Sequence, residues 1–153
     1  MTHLIDTGTL SAWMKVEQAR HKKREPAANE AKAAARLSAE PRLYISIATS
    51  YEIERGLVAL PVSRPLIAFK RLLGEVIVIG AEVANRDGIT AWSQAARTYA
   101  RGKAKGVTVN NDADVLIVAT AQVIGSTLVT NDAVMALLAR VQDPPVVVED
   151  WLD

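Results

Sequence analysis

The longest apolar stretch of the chain, from Val115 to Ile124, contains almost no polar residues. Acidic and amide residues precede it, and Gly125 follows it. This pattern predicts a helix that is capped by Asn111 or Asp112 and ends at Gly125. A helix that is apolar on every face must be buried on every face. The short apolar segment that follows, residues 126–130, is typical of a strand in a parallel sheet covered by helices.

The remaining hydrophobic pattern predicts four further strands and six further helices. The strands are predicted at residues 2–6, 43–48, 75–80 and 145–149, and the helices at 10–20, 27–39, 51–60, 66–73, 81–106 and 133–140. Strands that alternate with helices indicate an α/β fold, here a three-layer α/β/α sandwich with a central parallel sheet. We expect one domain over residues 1–153, with a helical arm at about residues 10–40.

Trp92, Ala95, Ala96 and Tyr99 recur at the spacing that places them on one face of the predicted helix 81–106.

The composition of the chain mainly excludes functions. The 153 residues are 50% apolar but include only three Trp, three Tyr and one Phe. No run approaches the roughly 20 apolar residues of a membrane helix, and the N-terminal segment does not resemble a signal peptide.

The chain has no cysteine and only two histidines, His3 and His21. The lack of cysteine excludes disulfides, thiolate metal sites and cysteine nucleophiles, and it fits a reducing cytoplasm. Two histidines argue against a histidine-rich metal site or a Ser-His-Asp triad.

Four acids occupy similar positions relative to the predicted elements. Asp6 and Asp132 follow strands directly, Glu52 opens the helix after a strand, and Asp114 opens the buried helix. Because the carboxyl ends of parallel strands meet at one edge of a sheet, we expect these acids to converge. A purely oxygen donor set favours Mg²⁺ or Mn²⁺. Such a cation activates water and offsets charge on a phosphoryl centre.

Each acid also has a purely structural interpretation. Glu52 and Asp132 are placed to cap their helices, and Asp114 suits the positive end of a helix dipole. Any one of them is explained well enough in this way. Four acids arranged alike are harder to explain as unrelated helix caps.

Four segments in order, LIDTGTL at 4–10, TSYEIERG at 49–56, DVLIVATA at 114–121 and LVTND at 128–132, together resemble the PIN-domain ribonucleases. The likeness is greatest to the VapC toxins of bacterial toxin–antitoxin pairs and covers nearly the whole chain. It implies an Mg²⁺- or Mn²⁺-dependent endoribonuclease that dimerises and is blocked by a small VapB-like antitoxin.

The resemblance assigns the acidic quartet of this family to Asp6, Glu52, Asp114 and Asp132, all of them predicted catalytic residues. Asp6 and Asp114 would hold the metal, and Asp132 and Glu52 would complete its shell directly or through water. The chain departs from the family at Gly8, where Asn or Ser is common. Asp112 is an additional acid, which we interpret as a cap or an outer contact.

Basic residues cluster in two segments of the chain. The predicted RNA-binding residues come from these segments and are Lys22, Lys23, Arg24, Arg97 and Arg101. The first cluster is equally well explained as a solvated helical face. Two other functions also fit the sequence. One is a phosphatase or a DNA nuclease that uses the same acids, and the other is a catalytically idle PIN fold that serves as a binding module.

Overall fold

The computed structural model describes residues 2–153, which form five strands and seven helices. In chain order these are β1 (His3–Ile5), α1 (Thr7–His21), α2 (Ala28–Ala39), β2 (Tyr44–Ser46), α3 (Ile47–Val58), α4 (Arg64–Leu73), β3 (Ile77–Ile79), α5 (Ala91–Ala104), α6 (Asp112–Ile124), β4 (Thr127–Val129), α7 (Ala133–Arg140) and β5 (Val148–Glu149). The predicted three-layer α/β/α sandwich is confirmed.

All five strands are parallel, in the order β3-β2-β1-β4-β5. The chain steps outward from β1 to β3 and then returns to form β4 on the other side of β1. Ile5 of β1 consequently pairs with Ile45 of β2 and with Val129 of β4. In open parallel sheets, a ligand crevice forms at the carboxyl ends of the strands where the order reverses. The topology therefore places such a crevice between β1 and β4.

Alternate side chains of the central strands enter two separate cores, one on each face of the sheet. Leu4 and Leu128 pack with α5, α6 and α7, whereas Ile5, Ile45 and Val129 pack with α1, α2 and α4. Helix α3 contributes to both cores at their border. Burial on both faces explains why adjacent residues of β1 and of β4, Leu4 with Ile5 and Leu128 with Val129, are all apolar.

The segment predicted as a helical arm is the pair α1 and α2, whose apolar side chains belong to the second core. Leu10, Trp13, Val16 and Leu37 are all buried there. The polar residues between the two helices, 22–25, are exposed. The helical pair thus forms part of one outer layer of the sandwich.

Helix α6 confirms the prediction made from the apolar stretch. The Asn111 side chain accepts a hydrogen bond from the backbone nitrogen of Ala113 at 2.9 Å, and Gly125 ends the helix with φ of +66°. Residues 115–121 are buried. At 13 residues the helix is too short to cross a bilayer, and no other helix within residues 2–153 is both long and apolar enough to do so.

The predicted long helix over residues 81–106 is wrong. Helix α5 begins only at Ala91, after a turn built on Asn85. The Asn85 side chain accepts hydrogen bonds from the backbone nitrogens of Asp87 and Ile89 at 2.9 and 3.0 Å, and Gly88 adopts φ of +76°. An asparagine that bonds its own backbone two residues ahead competes with helix formation.

Two predicted helix starts are also wrong, each by three or four residues. Helix α1 is capped by Asp6, directly after β1. Helix α3 is capped by Ser46, whose hydroxyl accepts from the backbone nitrogen of Ala48 at 3.1 Å. The earlier start places Glu52 in the second turn of α3, so this acid is not a helix cap.

Candidate active site

A cleft of about 560 Å³ lies at the carboxyl ends of β1 and β4, where the strand order reverses. The residues that line the cleft are Asp6, Thr7, Gly8, Glu52, Asn111, Asp114, Asn131, Asp132, Ala133 and Met135. All four acids that were predicted to converge are among them. The parallel sheet thus brings together acids that are up to 126 residues apart in the sequence (Asp6 and Asp132).

Asp6 directly follows β1 and is only 2% exposed. One carboxylate oxygen accepts a hydrogen bond from the backbone nitrogen of Thr9 at 2.7 Å, and the other accepts from the hydroxyl of Thr130, just beyond β4. Burial raises the pKa of Asp6, and these hydrogen bonds offset part of that shift. Asp6 therefore caps α1 and connects the ends of two adjacent strands.

Asp114 lies in the first turn of α6 and is partly buried. Burial raises its pKa to about 6, and repulsion from Asp132, Glu52 and Asp6 adds to the shift. The helix dipole favours a negative charge at this position. The other three carboxylates line the same cleft, so their repulsion adds to the effect of burial on the pKa of Asp114.

Glu52 projects into the cleft from α3, and both of its carboxylate oxygens accept hydrogen bonds. The Thr7 hydroxyl donates to one oxygen at 2.7 Å, and the Asn111 side-chain amide donates to the other at 3.1 Å. Glu52 is thus held by neutral donors from α1 and from the residue that caps α6.

Asp132 caps α7, because its side chain accepts a hydrogen bond from the backbone nitrogen of Met135 at 2.8 Å. The structural interpretation of this acid is therefore confirmed. It lies in the cleft nonetheless, and its own backbone nitrogen donates to the Thr130 hydroxyl at 3.0 Å. Capping α7 and lining the cleft are compatible roles for this residue.

No lysine, arginine or histidine is among the residues that line the cleft, and none of the four acids forms an ion pair within the described chain. As placed, no three acidic or histidine side chains of residues 2–153 are grouped tightly enough to enclose a metal ion. Mg²⁺ does not require such a cage, since it keeps several waters and binds through one or two carboxylates. A set of carboxylate oxygens without a basic neighbour fits a hard cation.

Gly8 leaves space that Asn131 fills from the other side of the cleft. A Cβ atom at position 8 would lie 3.2 Å from the Asn131 side-chain oxygen and 3.8 Å from a carboxylate oxygen of Asp6. The polar side chain that is missing at position 8 thus has a polar neighbour from the segment after β4. The sequence pattern gave no indication of this contact.

The predicted RNA-binding residues do not line the cleft. Lys22, Lys23 and Arg24 lie beyond the far end of α1, whose 15 residues extend about 22 Å from Asp6. The guanidinium of Arg101 donates to the backbone oxygen of Val141 at 2.7 Å. Asp112 also lies outside the cleft, next to a neighbouring apolar surface.

Three polar residues of the site were missed as functional candidates. Thr7 and Asn111 bond Glu52 from 45 and 59 residues away, and Thr130 bonds Asp6 from 124 residues away. Asn111 had a recognisable signal, but only as a helix cap. Position next to Asp6 was the only signal for Thr7.

The sequence profile of the PIN domain matches residues 4–141. A comparison with curated proteins gave no match. Among solved structures, the DNA-bound VapBC from Salmonella typhimurium has a TM-score of 0.72 at 20% identity, covering 99% of this chain and 98% of that chain. VapBC2 from Rickettsia felis, bound to a DNA fragment from its promoter, has a TM-score of 0.71 at 16% identity, with 99% of both chains covered. VapBC-1 from nontypeable Haemophilus influenzae has a TM-score of 0.70 at 18% identity, with 100% of both chains covered.

These structural likenesses are below 25% identity and therefore concern the fold. The profile match is a separate finding, and it agrees with the resemblance carried by the four sequence segments. The profile match runs from β1 to the end of α7, which is most of the chain. The chain therefore belongs to the PIN-domain family.

Proposed function

We propose that this PIN-domain protein is an Mg²⁺- or Mn²⁺-dependent endoribonuclease and the toxin of a toxin–antitoxin pair. The observation that carries the proposal is the convergence of four carboxylates, without a basic side chain, in one cleft at the carboxyl edge of the sheet. Strongly shifted pKa values in a cleft are typical of functional sites, and burial and repulsion raise that of Asp114 to about 6. The VapBC complexes with the same fold support the toxin assignment.

In the proposed reaction, Asp6 and Asp114 would hold the cation, and Asp132 would complete its shell directly or through water. A bound Mg²⁺ or Mn²⁺ supplies a water of lowered pKa and offsets charge on the phosphoryl group. The Glu52 carboxylate, oriented by two hydrogen bonds, would complete the shell of the cation directly or through water and position the attacking water. The fixed position of Asp6 between Thr9 and Thr130 keeps one carboxylate in place before the substrate arrives.

RNA must find its phosphate contacts outside the cleft, because the lining carboxylates repel the backbone. The exposed cluster of Lys22, Lys23 and Arg24 is one proposed contact, which RNA reaches only by extending along α1. Arg97 and Arg101 on α5 are the other. The distance of the first cluster from the cleft favours a substrate of several nucleotides over a small phosphate ester.

We also propose a homodimer through an exposed apolar surface formed by α3 and α5. Four of its side chains are strongly exposed for their size: Ile47 (41%), Tyr51 (58%), Trp92 (58%) and Tyr99 (45%). Exposed aromatic clusters of this kind mark interaction sites. A second copy suits the patch, since a two-fold axis brings the same apolar side chains against each other.

The dimer can be tested by light scattering during size exclusion. Trp92→Asp should convert a dimer to a monomer, whereas Val147→Asp, at a valine that is 61% exposed on another part of the surface, should not. A monomeric parent protein would contradict the proposed dimer.

The antitoxin is proposed as a small protein that covers the cleft.

Ribonuclease activity is tested by incubating purified protein with mixed RNA in Mg²⁺, in Mn²⁺ and in chelator. We expect cleavage with either metal and none with chelator. Competition by DNA or by a small phosphate ester separates a DNA nuclease or phosphatase from a ribonuclease. Metal binding without turnover of any of these substrates would contradict the proposed activity and favour a binding module.

A further inference from the structure

The carboxylate of Glu52 is the acid of the cleft that is held on both oxygens by neutral side chains. The Thr7 hydroxyl lies 2.7 Å from one oxygen, and the Asn111 amide nitrogen lies 3.1 Å from the other. Both donors line the cleft themselves. Because Glu52 lies in the second turn of α3, helix capping does not account for its position.

The two donors lie near two of the other acids of the cleft, Asp6 and Asp114. Thr7 is the first residue of α1 and follows Asp6, and Asn111 caps α6, which carries Asp114. The Asn111 side chain uses its oxygen to accept from the backbone nitrogen of Ala113, at 2.9 Å, and its nitrogen to donate to Glu52. One amide therefore both begins α6 and fixes an acid of α3.

Neutral donors fix a carboxylate without cancelling its charge. Each carboxylate oxygen has two acceptor sites, so one hydrogen bond on each leaves room for a cation or a water. A glutamate side chain that is already ordered loses less conformational freedom when it engages a ligand. A lysine or arginine in place of these donors would order Glu52 equally well, but it would compete with a bound cation.

We propose that Thr7 and Asn111 are positioning residues, which set the orientation of the Glu52 carboxylate for the metal-dependent reaction. The inference rests on the proposed function. It goes beyond the acidic quartet by assigning a functional role to two uncharged side chains that do not belong to it. If these bonds only joined helices, their loss would lower stability and leave metal affinity unchanged.

The test uses variants that remove one donor each and retain the local structure. Thr7→Val removes the hydroxyl at nearly constant shape, and Thr7→Ser retains it. Asn111→Ser keeps a good helix cap but is too short to reach Glu52. Thr98→Val is the matched control, because the Thr98 hydroxyl donates to the side-chain oxygen of Gln122 outside the cleft.

Two quantities are measured for each variant: Mn²⁺ affinity by calorimetry without RNA, and kcat and KM for RNA cleavage. Loss of a group that orients a metal ligand typically costs 10- to 100-fold in affinity or activity. We expect about this loss in Mn²⁺ affinity and kcat for Thr7→Val and Asn111→Ser, with little change in KM. Thr7→Ser should recover most of it, and Thr98→Val should lower the melting temperature alone.

The proposal also predicts that these effects depend on Glu52. In a Glu52→Gln background, Thr7→Val should cost little further Mn²⁺ affinity, since Thr7 then orients no carboxylate. Donor variants that keep both Mn²⁺ affinity and kcat within twofold of the parent would overturn the inference and leave the nuclease standing. A parent protein that neither binds Mn²⁺ nor cleaves RNA would overturn the proposed function itself.

Discussion

Two groups of acids on this sheet are held in opposite ways. Near the C-terminus, Glu149 lies in a cluster with His3, Arg36, Glu40 and Trp151. A single Glu149 oxygen accepts from the Trp151 indole at 2.7 Å and from Arg36 at 2.8 Å. The Arg36 guanidinium also lies 4.4 Å from the centre of the Trp151 ring. The Trp151 hydrogen bond, with help from Arg36, lowers the pKa of Glu149.

In the cleft, the donors to the acids are neutral and no cation takes part. There the pKa of Asp6 and that of Asp114 are raised, in each case chiefly by burial. The comparison separates two uses of the same side chain. A carboxylate that is satisfied by the folded chain stabilises that chain, whereas carboxylates left buried and in mutual repulsion destabilise it when they are charged.

The largest expected effect separates the two groups by activity. Asp114→Asn is nearly isosteric but removes a ligand charge, so we expect RNA cleavage to fall by about 100-fold or more. Asp6→Asn should lose RNA cleavage to a similar extent and still fold, because asparagine can also cap α1. Glu149→Gln should cleave RNA at the rate of the parent. The rates are measured at saturating Mg²⁺, and near-normal cleavage by Asp114→Asn would end the assignment of this acid.

The second effect concerns stabilisation by metal. A ligand that binds only the folded state at 100 times its Kd adds about 2.7 kcal/mol to the free energy of unfolding. For a chain of this size that corresponds to a rise in melting temperature of roughly 5–10 °C. We expect this rise with Mn²⁺ for the parent and for Glu149→Gln, and a smaller one for Asp114→Asn. Equal rises in all three proteins would place the metal elsewhere.

The third effect is an opposite dependence of stability on pH. The pKa of Asp114 rises from 3.8 to about 6 on folding, so unfolding releases a proton between these values. Its contribution therefore lowers the free energy of unfolding as pH rises through this window. The pKa of Glu149 is lowered from 4.5, so Glu149 stabilises the fold above pH 4.5 and loses this effect as pH falls.

Denaturant titrations in chelator check both signs. Relative to the parent, Asp114→Asn should become more stable as pH rises from about 4 to 6. Relative to the parent, Glu149→Gln should become less stable as pH rises toward 4.5, and the difference should level off above that pH. A constant difference for Asp114→Asn across this range would mean that folding does not raise the pKa of Asp114.

The smallest effect concerns the basic side chains outside the cleft. Replacing Lys22, Lys23 and Arg24 together by glutamine should weaken RNA binding and leave Mn²⁺ affinity unchanged. Each lost phosphate contact reduces the slope of log K against log salt by about 0.7 for single-stranded RNA. An unchanged slope would identify this cluster as a solvated surface.

The sequence predicted those parts of the structure that depend on local signals. Asn111 and Gly125 mark the ends of α6 by their own hydrogen bonding and backbone conformation, and both predictions are confirmed. The start of α5 was missed because Asn85 forms a turn within a stretch of otherwise suitable helical residues. Convergence of the acids followed from a general property of parallel sheets and required no local signal.

The parts that could not be predicted depend on contacts between distant segments. The Thr7 and Asn111 bonds to Glu52 exist only once α1, α3 and α6 are packed around the sheet. A threonine next to an acid has many other possible partners in an unfolded chain. The sequence likewise placed Trp92 and Tyr99 on one helical face without showing that this face is left exposed.

The two acids that cap helices carry a consequence for laboratory evolution. Alanine at Asp6 or Asp132 removes a helix cap, at about 1 kcal/mol each, as well as a carboxylate of the cleft. Such changes reduce the amount of folded protein in the cell together with its activity. Asp114 and Glu52 cap no helix, so survivors of a growth selection against this nuclease that still accumulate full-length protein should carry their changes preferentially at these two positions.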